Sequence, residues 1–403
     1  MSARCKYTFK NIIEIENYSV FIDLRKYGFG DVIGGVLFDE DDGSQSFYFG
    51  HSLISDYTED DWLGTHTHVT RSRDGGKTWT VPQLMTMPCV KDLKKESFSW
   101  CPFFRTQNGT VLYKGIHQVA DANDVTRRND LSMRDYMLLY GRREKGQSEG
   151  EMKVMEWPPG TFLREQFLEG GFQLHSGRLI FTMWGVAVRG ENWRCGVILS
   201  DDDGETWQFR TVGYEPDIAI RDNPSGKGYP AGFNEQTLFY TADQTIVSII
   251  RGREKLGRGV PGGGTLDTWF FRSESHDCGE TWDKPEVTNL PGTGATVGLG
   301  LTLRDGSLLI GCRIPYSREY YDLPEKDLYG LNLARSFDGG KTWVPEFIVQ
   351  RDPEGNPFNN HYCAMNGFFR HIGENRYEYI FGFFGHDFKP KLQRMLKLTL
   401  RIT

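Results

Sequence analysis

The sequence predicts an all-β protein, a six-bladed β-propeller, and three observations carry that expectation. The first is composition: of 403 residues, 14% are aromatic and 47 are glycine, a mixture suited to strands joined by tight turns. The second is a turn pattern, Ser-x-Asp-x-Gly-x-Thr-Trp, written four times along the chain. The third is a set of six apolar stretches, each broken by a polar turn, at nearly constant spacing.

The turn pattern begins at Ser72 and closes at Trp79, then runs from Ser200 to Trp207, from Ser275 to Trp282 and from Ser336 to Trp343. Its chemistry is that of a hairpin turn. The Asp side chain accepts backbone N–H bonds inside the turn, the Gly takes a positive φ, and the Trp packs back between strands. Four matches at five fixed positions do not arise by chance.

The six broken stretches run from GGVLFDEDDGSQSFYFG in the first to NGFFRHIGENRYEYIFGFFG in the last. Their turns fall at Gly43, Gly109, Gly177, Gln244, Gly306 and Asn375, with spacings of 62–69 residues. Six antiparallel hairpins at that period fit four-stranded blades with generous loops. The four turn patterns follow hairpins one, three, four and five, which places them between the third and fourth strands. Six blades in a ring protect their strand edges by radial repetition. After the last hairpin a single strand-like run remains, Met395 to Ile402, so the sixth blade lacks a strand. Tyr18 to Leu24 precedes blade one and is free to supply it. The expectation is a single domain over residues 1–403, closed by its amino-terminal strand.

The charge balance of −7 gives no concentrated basic face for nucleic acid. No run of about 18 apolar residues is present, so no membrane-spanning helix is expected. The first nine residues hold no apolar core of a secretory signal, which makes a cytoplasmic protein the default expectation. Seven cysteines are scattered with no CxxC pair, so reduced and mostly buried thiols are expected rather than a zinc site or a disulfide framework. No cofactor is implied, and the oligomeric state is open. The Gly257–Asp267 stretch follows a strand without opening a helix, so it reads as a loop rather than a phosphate cradle. The acidic run Asp39–Asp42 reads as a solvated turn.

In a propeller the first strand of each blade starts on one face and the second returns to it. Residues at those strand ends therefore gather around one mouth, a concave place for a small ligand. Here they are Glu235, His361 and Tyr362 at strand starts, and His51, His117, Trp184, Arg251, Arg313 and His386 at strand ends.

The four turn patterns on six hairpins resemble the Asp boxes of the sialidase (neuraminidase) superfamily, and the likeness covers nearly the whole chain. Asp boxes also occur on other propeller glycosidases and on non-catalytic receptors, so they speak for fold rather than chemistry. The family's catalytic pattern has a Glu opening blade four and an Arg about 16 residues on; Glu235 and Arg251 stand 16 apart. Its blade six opens with a Tyr, here Tyr362. Its acid is an Asp about 11 residues before the first box, here Asp61, with Asp60 as the fallback.

The resemblance implies retaining hydrolysis with Tyr362 as nucleophile, suited to an anionic sugar that would repel a carboxylate. Glu235 would take the phenol proton, because an unaided Tyr has a pKa of about 10. Asp61 would protonate the leaving oxygen. The chain departs from the family in its arginine clamp. Where an Arg should open blade one it has Asp31, Val32, Ile33, Gly34 and Gly35, and at the third clamp position it has Leu328. Arg313, Arg318 or Arg25 are candidate replacements.

The expected function is therefore a sialidase-like exo-glycoside hydrolase on a terminal, acidic sugar, with a glycan or oligosaccharide as partner. Two alternatives stay open. His and Tyr with Arg also make a base-and-acid set for β-elimination of uronic-acid sugars, as in propeller polysaccharide lyases. A non-catalytic carbohydrate-binding propeller needs no such set. His66 and His68 alternate onto one strand face, yet no carboxylate partners stand at metal-ligand spacing beside them.

Overall fold

The computed structural model of the chain describes residues 13–27, 32–51, 66–85, 98–119, 135–147, 150–155, 166–185, 194–214, 232–253, 268–291, 300–313, 331–349, 351–355, 365–383 and 394–402. Strand β1 (Ile13–Asp23) runs into a 3-10 turn at Leu24–Tyr27. Blade one holds β2 (Val32–Asp39), β3 (Gln45–His51), β4 (His66–Ser72) and β5 (Gln83–Leu84). Blade two holds β6 (Phe98–Arg105), β7 (Val111–Val119), β8 (Asp135–Arg143) and β9 (Glu151–Val154). Blade three holds β10 (Gln166–Gln173), β11 (Leu179–Gly185), β12 (Arg194–Ser200) and β13 (Gln208–Tyr214). Blade four holds β14 (Phe233–Tyr240), β15 (Ile246–Arg253), β16 (Thr268–Ser275) and β17 (Glu286–Pro291). Blade five holds β18 (Leu301–Thr302), β19 (Leu308–Arg313), β20 (Leu331–Ser336) and β21 (Val344–Val349). Blade six holds β22 (Met365–Gly373), β23 (Arg376–Phe383) and β24 (Arg394–Ile402).

Five blades run in chain order, and the sixth reads β22-β23-β24-β1 from inside to outside. Strand β1 pairs antiparallel with β24 from Ile13 opposite Ile402 to Asp23 opposite Arg394. The amino-terminal strand thus closes the ring, as expected. It starts five residues earlier than the sequence pattern suggested, and Leu24 belongs to the turn that follows. The fold is a six-bladed β-propeller.

The first five hairpins share one turn. Gly43, Gly109, Gly177, Gln244 and Gly306 each donate their N–H to a carbonyl three residues back, and each has a positive φ. Blade four alone places a side chain there, with Gln244 at φ 66°.

Each seam between blades carries its own apolar cluster. Phe38, Tyr48 and Val111 join blades one and two. Leu112, Leu138, Leu179 and Phe181 join two and three. Cys195, Val197, Phe233 and Ile250 join three and four, and Phe239, Ile249, Ile310 and Trp343 join four and five. Leu309, Leu333, Tyr379 and Leu398 join five and six, and Phe21, Phe47, Ile380 and Met395 close six onto one. Fully burying a side chain of this kind stabilises by roughly 1.5–3 kcal/mol, so the seams rather than the strands alone hold the ring.

The four Ser-x-Asp-x-Gly-x-Thr-Trp turns do lie between third and fourth strands, and they wedge into the seams. In the first, Ser72 Oγ donates to Asp74 Oδ1 at 2.8 Å and accepts from Gly76 N at 2.8 Å. Asp74 accepts from Thr78 N at 2.9 Å and from Thr78 Oγ1 at 2.6 Å. The other three repeat this network around Asp202, Asp277 and Asp338. Each glycine faces the preceding blade. A Cβ on Gly204 would stand 2.9 Å from Leu112, and one on Gly279 would stand 2.8 Å from Ile180.

Candidate active site

The hairpin turns and the four wedge turns share one end of the ring. The starts of first strands and the ends of second strands share the other, which is the mouth. Glu235 and Arg251 meet there. Asn234 pairs with Arg251 and Gln236 with Ile250, so Glu235 is an extra residue in a β-bulge of β14. Its φ is 32°, a left-handed value that an L-residue with a long side chain adopts at a cost of about 1–3 kcal/mol. Arg251 Nη1 donates to Glu235 Oε2 in a short charge-assisted bond. Both side chains are mostly buried, at 14% and 15% exposure, so each charge depends on the other for solvation. Arg251 Nε is buried and has no hydrogen-bond partner among the described residues.

The other expected residues fall as follows. His51 ends β3, opposite Val32 on one side and His66 on the other. His117 lies in β7 opposite Phe98, two residues before the strand end. Arg313 ends β19, opposite Leu331. These backbone positions belong to the mouth. Asp61, His361, Tyr362 and His386 lie outside the described residues.

Trp184 requires a correction. The sequence places it among the strand-end residues of the mouth, but only 7% of it is exposed. It belongs to the apolar cluster with Cys195, Phe233 and Ile250. Every residue of β11 is buried, so this strand shows neither face to solvent. His68 is likewise buried and stacks on Phe49 with ring centroids 5.7 Å apart.

Two polar residues beside Glu235 escaped the sequence reading. Gln236 and Ser248 are fully buried and hydrogen-bonded to each other at 2.8 Å. The available signal was a polar side chain inside an otherwise apolar strand run, in FNEQTLFY and IVSII.

Among the described residues, Glu274, His276 and Asp283 bring three potential metal-ligand atoms within 4.8 Å of one another. That group sits at the end of the ring away from the mouth, and Glu274 is already bound by Arg272. Of the described cysteines, Cys195 is fully buried, and burial pushes its thiol up. Cys278 is exposed.

No protein-family model matches the chain, and no curated protein matches it by sequence. Solved structures do. A protein of unknown function from Dyadobacter fermentans superposes with a TM-score of 0.67 at 15% identity, covering 97% of this chain and 99% of that one. The NanB sialidase of Streptococcus pneumoniae gives 0.56 at 13% identity, covering 94% and 70%. The intramolecular trans-sialidase of Ruminococcus gnavus, solved with oseltamivir carboxylate, gives 0.56 at 13% identity, covering 95% and 96%. At such identities the likeness is one of fold. The chain has the six-bladed propeller fold of the sialidases.

Proposed function

We propose that the chain is an exo-acting, sialidase-like glycoside hydrolase that removes a terminal acidic sugar from a glycan. The observation that carries this reading is the Glu235–Arg251 pair on a strained bulge at the mouth. A carboxylate held in a costly backbone conformation, mostly buried and beside one guanidinium, is a placement that stability alone does not select.

In the proposed reaction the Tyr362 phenol oxygen attacks the anomeric carbon while Glu235 accepts the phenol proton. The bond to the leaving oxygen breaks as Asp61 protonates it, leaving a sugar joined to Tyr362. Water then attacks the same carbon and gives its proton to Asp61, and the Tyr362 oxygen leaves and recovers its proton from Glu235. Arg251, with Arg313, offers positive charge to the substrate carboxylate. His51, His117, His361 and His386 supply donors and acceptors for sugar hydroxyls. Trp184 has no part in the proposal. The absent clamp arginines, at Asp31–Gly35 and at Leu328, leave room for an acidic sugar other than sialic acid.

The test is hydrolysis of a fluorogenic sialic-acid glycoside by the wild type beside Tyr362→Phe and Asp61→Ala. Turnover lost in both variants supports the reading. If sialoside is inert, uronic-acid and neutral glycosides follow, with absorbance of an unsaturated product scored in parallel. Such a product would replace hydrolysis by β-elimination.

A further inference from the structure

Glu235 cannot hold its bulge alone, because the ion pair with Arg251 fixes the carboxylate and not the backbone that carries it. The residue that follows is anchored far more tightly. Gln236 is 1% exposed, and its side-chain amide has partners at every side. Nε2 donates to Met183 O at 3.1 Å and, in a shorter bond, to Gly196 O. Oε1 accepts from Ser248 Oγ at 2.8 Å. Ser248 lies on β15, three residues before Arg251, and is wholly buried.

The two carbonyls belong to blade three. Met183 and Gly196 are direct partners in the β11–β12 ladder. Both stand where ladders lose register: β10 slips between Leu168 and Gly171 opposite β11, and β12 against β13 slips between Cys195 and Gly196. The Gln236 amide bonds both carbonyls and so ties β14 across the seam at the residue next to the bulge.

We infer that Gln236 and Ser248 are positioning residues for Glu235, fixing the bulge of β14 against blade three so that the carboxylate stays at the mouth. The inference rests on the proposed role of Glu235 as proton acceptor. Without the tie, the extra residue of the bulge is free to move along β14, and a one-residue slip turns a strand side chain to the opposite face. A buried amide bonded through both N–H groups and its oxygen permits one register only.

The experiment uses the full-length chain with Gln236→Met, which keeps shape without the amide, and with Ser248→Ala, which removes one hydrogen bond and spares the fold. Ser248→Thr serves as the conservative rescue, and circular dichroism with gel filtration selects the folded variants. Two readouts are taken: steady-state kinetics across pH on the glycoside the wild type turns over, and amide hydrogen exchange over residues 233–240. The expected result is a kcat lower by about tenfold or more with KM little changed. The pH–rate profile moves upward, since the Tyr362 phenol then loses its proton to solvent, and exchange quickens in 233–240 alone. Ser248→Thr recovers kcat. Unchanged kcat and pH profile in a folded Ser248→Ala chain would overturn the inference. Should the wild type turn over no glycoside, the hydrolase reading fails by itself. The exchange data then judge the tie: unaltered exchange in 233–240 overturns it, and faster exchange confined there sustains it.

Discussion

Arg272 Nε donates to the carbonyl oxygen of Gly339 at 2.6 Å, so the third strand of blade four holds the wedge turn of blade five. The same joint recurs around the ring. Arg142 Nε reaches Asp203 O at 3.2 Å, and Arg178 Nη1 reaches Cys278 O at 3.4 Å. Each acceptor follows the Asp of a turn, and each has a left-handed φ, between 59° and 69°. That conformation turns the carbonyl outward, where an arginine of the preceding blade caps it.

Replacing Arg272 tests the joint. Its side chain is only 11% exposed, so the lost bond is not made good by water. Arg272→Ala should lower unfolding stability by about 1.5–3 kcal/mol, read from the urea midpoint. Arg272→Lys should recover a minority of that loss, because a single ammonium nitrogen does not reproduce the fork that reaches Gly339 through Nε and Glu274 through Nη2. A wild-type midpoint for Arg272→Ala would mean that the turn stands unaided.

Acid should loosen the ring through the same turns. The Thr78 side-chain hydrogen bond leads the interactions that lower the Asp74 carboxyl to about 2. At Asp202, Asp277 and Asp338 partial burial pulls upward, but hydrogen bonds from Thr206, Thr281 and Thr342 outweigh it and lower the carboxyls. A depressed folded pKa stabilises fully above the unfolded value of about 3.9 and is lost as pH falls through the folded one. Tm should therefore hold above about pH 4 and fall towards pH 2. Thr281→Val should lower Tm at neutral pH and flatten the acid limb. A limb of wild-type steepness would assign acid sensitivity to other carboxylates.

The ring and its closure were legible because each rests on a local, repeated signal: five of the six hairpin turns reuse one hydrogen-bond pattern. Counting strands then left β1 as the missing partner of β24. Glu235 and Arg251 were legible as mouth residues from their places at a strand start and a strand end, and as a pair only through the resemblance to the sialidase pattern. What spacing cannot give is the direction of a side chain in a strand buried on both faces, and Trp184 was misplaced for that reason. Gln236 went unnoticed because its partners, Met183 and Gly196, lie on another blade. Their relation depends on the angle at which β14 meets β11 and β12, which no periodicity encodes.

Tyr379 makes the seam between blades five and six unusually intolerant of volume. A Cβ on Gly311 would stand 2.3 Å from its Oη, and one on Gly367 would stand 2.2 Å away. Tyr379 is 2% exposed and cannot swing clear. Gly311→Ala should cost about 1–3 kcal/mol in urea unfolding. In a Tyr379→Leu background the same change should cost less by at least about 0.5 kcal/mol, the signature of direct contact. Equal costs in both backgrounds would place the strain elsewhere.

The bulge at Glu235 makes a prediction of opposite sign to the usual rule. In a strand interior Gly is less stable than Ala, by roughly 0.5–1 kcal/mol. At φ 32° the order should reverse, because Ala keeps the Cβ that the conformation penalises and Gly does not. Arg251→Met removes the charge that would otherwise be stranded when the carboxylate is lost, so the comparison belongs in that background. There Glu235→Gly should exceed Glu235→Ala in stability by about 1 kcal/mol in urea unfolding. Neither chain should turn over substrate if Glu235 accepts the Tyr362 proton. Ala equal to or above Gly would mean that the backbone relaxes once the carboxylate at 235 is gone. The left-handed φ would then be imposed by the ion pair with Arg251 rather than by the strand.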